Sequence, residues 1–222
     1  FSDVLVFSGD TNPESPGLLF SDKSFVLPLD EDPNFVKKMV ELCCENNIKL
    51  IVPTRDEELK IYSKNIEKFR KYGCFVLAPS IETLEICQNK NKFFKFCEQN
   101  GIQIPKTYWN HNDVVFPAFS KPIFGNASKG IFKVLTSKDL TKLNDSMVVQ
   151  EYIDWQEYTI DLFADFESNV ISVVPRKRLK IVNGQSHIGE TENNEFIIKE
   201  SINLSEKLKL IGHNVIQCFY NG

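Results

Sequence analysis

The apolar residues of this chain change their period near residue 105, and that change sets what it can fold into. Over the first hundred residues, short apolar runs alternate with helical stripes. Residues 4–7 form one run, closed by Ser8, Gly9 and Asp10. Asp32-Pro33 offers an N-cap with proline at the first helical position, ahead of Phe35, Val36, Met39, Val40, Leu42 and Cys43 at helical spacing. Residues 48–52 read as a buried strand. A second stripe of Leu59, Tyr62, Ile66 and Phe69 ends at Gly73, and residues 74–78 form the next strand. Strands alternating with helices of about 10–15 residues imply an α/β layer with a parallel sheet. A further helix is expected from about Lys92 to Gln99, stopped by Asn100-Gly101.

Beyond residue 105 the runs favour strands: 116–122, 131–135, 147–152, 158–164 and 170–181. Gly125-Asn126, Ser168-Asn169 and Asn183-Gly184 mark turns, the last a hairpin pair. Helices near 137–143 and 195–208 interrupt them. Strands in runs with few helices suggest an antiparallel α+β domain. The expected organisation is α/β over residues 1–104, including a connecting helix, followed by α+β over 105–222.

Composition narrows the function. Lys plus Arg total 26 against 30 acids, a net charge of -4, which argues against nucleic-acid binding. No apolar run approaches the ~20 residues that span a bilayer, so a soluble, cytoplasmic protein without membrane partners is expected. The six cysteines follow no C-x-x-C spacing and are read as structural thiols. The three histidines are too scattered for a histidine metal site.

Three segments could carry chemistry. Residues 125–130 (GNASKG) follow the strand ending Ser120-Lys121-Pro122 and could turn backbone N–H groups toward an anion, with Lys129 adding charge. Ile131 stands where a P-loop needs lysine, so a Walker site is rejected, and taken alone the segment reads more readily as a hairpin loop. Residues 175–180 (PRKRLK) hold two of only four arginines in the chain. On a regular strand Arg176, Arg178 and Lys180 share a face, about 7 Å apart. That face either meets a phosphate or carboxylate or is a solvated edge protected from aggregation. Glu157, Thr159, Asp161, Phe163 and Asp165 form another one-face series, suited to ribose hydroxyls or Mg²⁺ or simply to water. A dinucleotide oxidoreductase is disfavoured because no G-x-G-x-x-G follows a strand.

In their order the segments resemble the ATP-grasp superfamily, especially the branch of the carbamoyl-phosphate synthetase large subunit. The resemblance runs over nearly the whole chain. It rests on residues 51–59, Asn89-Lys90, 100–105, Phe116-Pro117 through Lys121-Pro122, and the Gly125 to Gly130 loop. Gln150-Glu151-Tyr152-Ile153, 156–161, Pro175 to Arg178 and 214–219 complete it.

The resemblance implies a Rossmann-like pre-ATP-grasp domain followed by an ATP-grasp domain with antiparallel sheets. Lys90 and Lys121 would contact ATP phosphates, under a flap that includes Gly125, Ser128, Lys129 and Gly130. Glu151, Tyr152 and Ile153 would form the adenine hinge, working largely through backbone groups, and Glu157 would hold the ribose. Arg176 and Arg178 would face the transferred phosphoryl group. Gln217 matches the first of three Mg²⁺ ligands, with two ions expected in the full-length protein. Side chains 90, 121, 176 and 178 should then surround one cavity of triphosphate size. The implied activity is ATP-dependent ligation of a small-molecule carboxylate through an acyl phosphate attacked by an amine or similar nucleophile, with a homo-oligomer left open. The alternative is a non-catalytic nucleotide-binding or regulatory module of the same fold. Relative to the family, the chain lacks the opening strand and helix and stops before the Glu-x-Asn metal strand, so the 222 residues are read as a piece not active by itself.

Overall fold

The structure is a computed structural model that describes residues 4–125, 130–182 and 184–222. It divides into two units, Phe1–Ala78 and Pro79–Gly222.

In the first unit, β1 (Phe7–Asp10) and β2 (Lys23–Val26) pair in parallel, as do β3 (Leu50–Ile51) and β4 (Phe75–Val76). Helix α1 (Phe35–Glu45) buries Phe35, Met39 and Cys43, a stripe with one residue per turn. Helix α2 (Asp56–Lys71) buries Tyr62 and Phe69. The Tyr62 ring lies between Phe35 and Phe69, with centroids 5.7 and 5.6 Å away, at the centre of a core closed by Cys74, Val76 and Ala78. Asp56, Glu57 and Glu58 open α2, and Lys68, Arg70 and Lys71 close it, each charge complementing the helix dipole. Gly73 follows at φ 75, a left-handed conformation that favours glycine.

Two local expectations are corrected. The first strand begins at Phe7, and Val4, Leu5 and Val6 are exposed ahead of it, with Val6 bonded through both backbone groups to Asp22. Asn34, not Asp32, occupies the α1 cap position, while Asp32 closes the preceding turn by accepting from Asn34 N and Phe35 N, both at 2.8 Å.

In the second unit, Ser80 Oγ accepts from Thr83 N to start α3 (Ile81–Cys87). Asn89 Oδ1 accepts from Lys92 N, so α4 (Lys90–Gln99) begins two residues earlier than periodicity predicts. Cys97 of α4 is fully buried against Leu204, Leu208 and Leu210, which places that helix within this unit. Strand β5 (Ala118–Pro122) lies between β6 (Phe132–Val134) and β7 (Met147–Glu151), antiparallel to both.

A four-stranded antiparallel sheet follows: β8 (Gln156–Ala164), β9 (Val170–Val182), β10 (Gln185–Thr191) and β11 (Gly212–Tyr220), in the order β10-β9-β8-β11. Helix α5 (Glu195–Leu208) sets Ile197 on Tyr158 and Ile160, burying one face of this sheet. The expected helix near 137–143 is a 3-10 helix over Ser137–Lys142. Among the described residues no helix is long and apolar enough to cross a membrane. An N-terminal region of parallel strands followed by antiparallel sheets is the architecture that the alternation predicts.

Candidate functional site

Strand alternation gives β5 two different faces. Ala118 and Ser120 point into a fully buried layer, while Phe119 and Lys121 point the other way. Antiparallel register sets Lys133 and Gln150 beside Phe119, and Val148 beside Lys121. Lys121 Nζ lies 4.7 Å from the centroid of the Phe94 ring on α4, in an apolar cluster with Ile123 and Val148. Burial, and then the charge of Lys90, push the Lys121 ammonium down to about 8. Lys90 opens α4; its Nζ donates to Gly125 O at 2.8 Å, and burial lowers its pKa as well.

Among the described residues no carboxylate pairs with Lys90 or Lys121. Two partly buried lysines near each other without a carboxylate partner have the donors that an anion could use. The connection from β5 to β6 has glycine at both ends, Gly125 at φ 99 and Gly130 at φ 72. A Cβ on Gly130 would come within 3.1 Å of Pro122 Cγ. The intervening flap positions Asn126, Ala127, Ser128 and Lys129 lie outside the described residues.

At the end of β7, the Glu151 carboxylate accepts from Lys106 N at 2.8 Å and its N–H donates to Lys106 O at 2.9 Å. The Glu151 N–H and one of its carboxylate oxygens are thus committed to the fold. Tyr152 N donates to Pro117 O, and Ile153 is half-buried. The Tyr152 hydroxyl accepts from Lys133 Nζ at 2.8 Å, and the same ammonium lies 4.1 Å from the centre of the Tyr152 ring.

The four-stranded sheet carries a different arrangement. Glu157, Thr159, Asp161 and Phe163 alternate onto the face turned away from α5. Thr159 is flanked by Arg176 on β9 and Gln217 on β11, with Thr191 of β10 beyond Arg176. Arg176 Nε bonds Asp161 Oδ2 at 2.6 Å, and His213 Nε2 lies 3.5 Å from Asp161 Oδ1. Arg178, with only 6% of its side chain exposed, bonds Glu157 Oε2 through Nη1 at 2.5 Å and Gly184 O through Nη2 at 2.6 Å. Its Nε is buried without a partner. The cationic strand and the acid series, read separately in the sequence, therefore neutralise each other across β8 and β9. Lys177 faces the other way and pairs with Glu192, which also accepts from the Tyr158 hydroxyl.

The expected site residues thus fall into clusters: Lys90, Lys121 and Gly125; the hinge, with Lys133; Glu157 with Arg178; and Arg176 with Gln217 beside it. No hydrogen bond, ion pair or ring contact among the described residues joins the lysine cluster to the arginine clusters. Two hollows, of about 700 Å³ beside Val36, Val40 and Tyr72 and about 450 Å³ beside Asn91, Trp109 and Asn144, are lined by none of residues 90, 121, 176 and 178. Sequence reasoning missed the contact of Lys133 with Tyr152 and that of His213 with Asp161. Neither is legible in the sequence, since both depend on how the strands pair.

Residues 1–77 match the family described as PylC-like, N-terminal domain, and residues 87–222 match the ATP-grasp domain. No curated protein sequence matches the chain. Among solved structures it is similar to N5-carboxyaminoimidazole ribonucleotide synthetase from Thermotoga maritima, at 20% identity and TM-score 0.68, covering 98% of this chain and 58% of that one. It is also similar to the biotin carboxylase β,γ-ATP complex from Campylobacter jejuni, at 15% identity and TM-score 0.73, covering 95% and 55%. D-alanine–D-alanine ligase from Bacillus anthracis, complexed with ATP, matches at 16% identity and TM-score 0.67, covering 98% and 82%. The chain spans little more than half the length of the first two, and at these identities the likeness is one of fold. These matches do not select the carbamoyl-phosphate synthetase branch. With the ATP-grasp match spanning more than half of its length, the chain belongs to the ATP-grasp domain family.

Proposed function

We propose that this is a cytoplasmic ATP-dependent carboxylate ligase of the carbamoyl-phosphate-synthetase-like type, acting on a small-molecule carboxylate. In that chemistry the carboxylate is activated as an acyl phosphate and an amine or similar nucleophile displaces the phosphate. We read residues 1–104 as the pre-ATP-grasp domain with its connecting helix and 105–222 as the ATP-grasp domain. The observation that carries the reading is the Lys90–Lys121 pair, two partly buried cations with no acid against them among the described residues. Their positive charge offsets that of a triphosphate, and Phe94 keeps water from one side of Lys121.

Glu157 offers its remaining carboxylate oxygen to a ribose hydroxyl while Arg178 fixes its orientation. With both Nη atoms and its burial committed to the fold, Arg178 supports the site through Glu157. Arg176 uses only Nε on Asp161, so its Nη atoms are the cationic donors left for a phosphoryl group. The donors present fit a triphosphate. They do not by themselves fit Mg²⁺, because Gln217 is neutral and two strands away from it stands Arg176. Among the described residues no three His, Cys, Asp or Glu side chains could hold a metal ion. The neutral Gln217 is also what favours the second reading, a nucleotide-binding module without turnover.

Calorimetric titration with ATP tests the site. Lys121→Ala should weaken binding about 100-fold, the loss of a charge-assisted contact with its desolvated surroundings. Lys138→Ala, an exposed lysine in the 3-10 helix, should stay within about twofold. Equal affinities in the two variants refute the placement. ADP release from Mg-ATP with a panel of amino and hydroxy acids separates ligase from binding module.

A further inference from the structure

Lys133 makes a contact that the phosphate-binding groups do not need. Its strand, β6, is separated from β7 by β5, yet its ammonium reaches across β5 to the residue just past the end of β7. There it donates to the Tyr152 hydroxyl at 2.8 Å and sits over the ring, 4.1 Å from its centre. Among the described residues no carboxylate competes for it. Lys133 lies on the same face of the three-stranded sheet as Lys121, one residue pair removed along β5, a distance of about 7 Å. That face therefore has two ends, one marked by Lys121 and Lys90, the other by Tyr152 between Glu151 and Ile153.

We propose that Lys133 is a positioning residue for purine recognition, holding Tyr152 so that the backbone groups of residues 151–153 keep a fixed register toward the base edge. This inference rests on the nucleotide reading above. Adenine and guanine differ at their edge by exchange of a donor for an acceptor, and hydrogen bonds tolerate only a few tenths of an ångström of misplacement. A hinge whose central side chain is pinned on both its ring and its hydroxyl discriminates between the two. A hinge whose tyrosine swings free does not. Lys133 then serves base selectivity and contributes nothing to binding of the phosphate chain.

The test measures affinities for ATP, GTP and inorganic tripolyphosphate in the parent protein, Lys133→Ala, Lys133→Arg, Tyr152→Phe and Lys121→Ala, with thermal unfolding of each. Lys133→Ala should lose about fivefold in ATP affinity and the same factor in ATP-over-GTP preference, with tripolyphosphate affinity and unfolding midpoint unchanged. Lys133→Arg, which keeps a donor and a cation that stacks on tyrosine, should restore most of the preference. Tyr152→Phe should fall between Lys133→Ala and the parent. An equal fall for ATP and tripolyphosphate in Lys133→Ala would make Lys133 a phosphate ligand and overturn the proposal, as would an unaltered ATP-over-GTP ratio. Lys121→Ala separates the two readings. If it leaves ATP and tripolyphosphate binding intact, the nucleotide site itself is misplaced; if it abolishes both while Lys133→Ala keeps the ratio, only the role of Lys133 fails.

Discussion

The two sheets of the second unit handle positive charge in opposite ways. On the three-stranded sheet Lys121 sits against Phe94 with no acid paired to it among the described residues, and it feels the charge of another cation, Lys90. On the four-stranded sheet each arginine of β9 meets a carboxylate of β8, Arg176 with Asp161 and Arg178 with Glu157. Among the described residues one surface leaves its cations unpaired, and the other is neutralised within the chain. On the nucleotide reading proposed above, the lysine face offers cations to an anion, while on the arginine face only the Arg176 Nη atoms are left over from pairing within the fold. The family resemblance implies phosphate-facing roles for both sets of cations.

The sharpest way to break this contrast is to remove one charge from each sheet and compare signs. Glu157→Gln leaves Arg178 buried with a weakened partner and a backbone carbonyl, beside an Nε that already lacks one. Denaturant unfolding should show a loss of about 2 kcal/mol, below the value for a fully buried pair because Glu157 is partly exposed. A double-mutant cycle with Arg178→Met should recover part of that loss as coupling. Stability unchanged in Glu157→Gln would mean that the arginine face is not internally balanced.

Lys121→Met should move the other way, gaining about 1 kcal/mol at pH 7 while losing anion binding, since an unpaired cation leaves an apolar setting. The sign carries a pH signature. The folded-state pKa of Lys121, about 8, lies below its ordinary value of 10.5. Between those two values the unfolded chain binds more protons, so the stability of the parent rises with pH across that window. The advantage of Lys121→Met should accordingly shrink from pH 8 upward and be gone near 10.5, as read from unfolding curves at each pH. A constant difference from pH 7 to 10.5 would place Lys121 in water.

How far the sequence shows these features depends on whether a feature is local. Helix α5 is fully legible because Asn194 caps it and Ile197, Ser201, Leu204 and Leu208 mark its buried stripe. Strand β10 is not, because Gln185–Thr191 carries a single large apolar residue, the exposed Ile188, and shows no alternation; it pairs only with β9. There Gly189 permits a close approach: a Cβ would stand 3.1 Å from Lys177 O. Residues 4–6 mislead for the converse reason, being apolar but exposed and outside any strand. At the site, Lys121 is legible through the order of segments around it. The pairing of Glu157 with Arg178 is not, because it depends on the register of β8 on β9 across a turn where Ser168 adopts φ 65 and the ladder shifts between Phe163 and Ala164. A slip of one residue would put Arg178 on the face covered by α5.

The smallest effect is expected at Arg176, and it sharpens the comparison within the arginine face. Arg176 and Asp161 side chains are 33% and 30% exposed, so solvent screens their 2.6 Å bond far more than that of Arg178. Asp161 also keeps His213 within 3.5 Å when Arg176 is lost, so the carboxylate is not stranded. Arg176→Gln should therefore cost no more than about 0.5–1 kcal/mol in denaturant unfolding. Because its Nη atoms are unclaimed by the fold, the same substitution should lower turnover, measured as ADP release, by more than it lowers ATP affinity. A stability loss as large as that of Glu157→Gln would make both arginines structural members of the sheet, and the phosphoryl-facing role would then have to come from the lysine face alone.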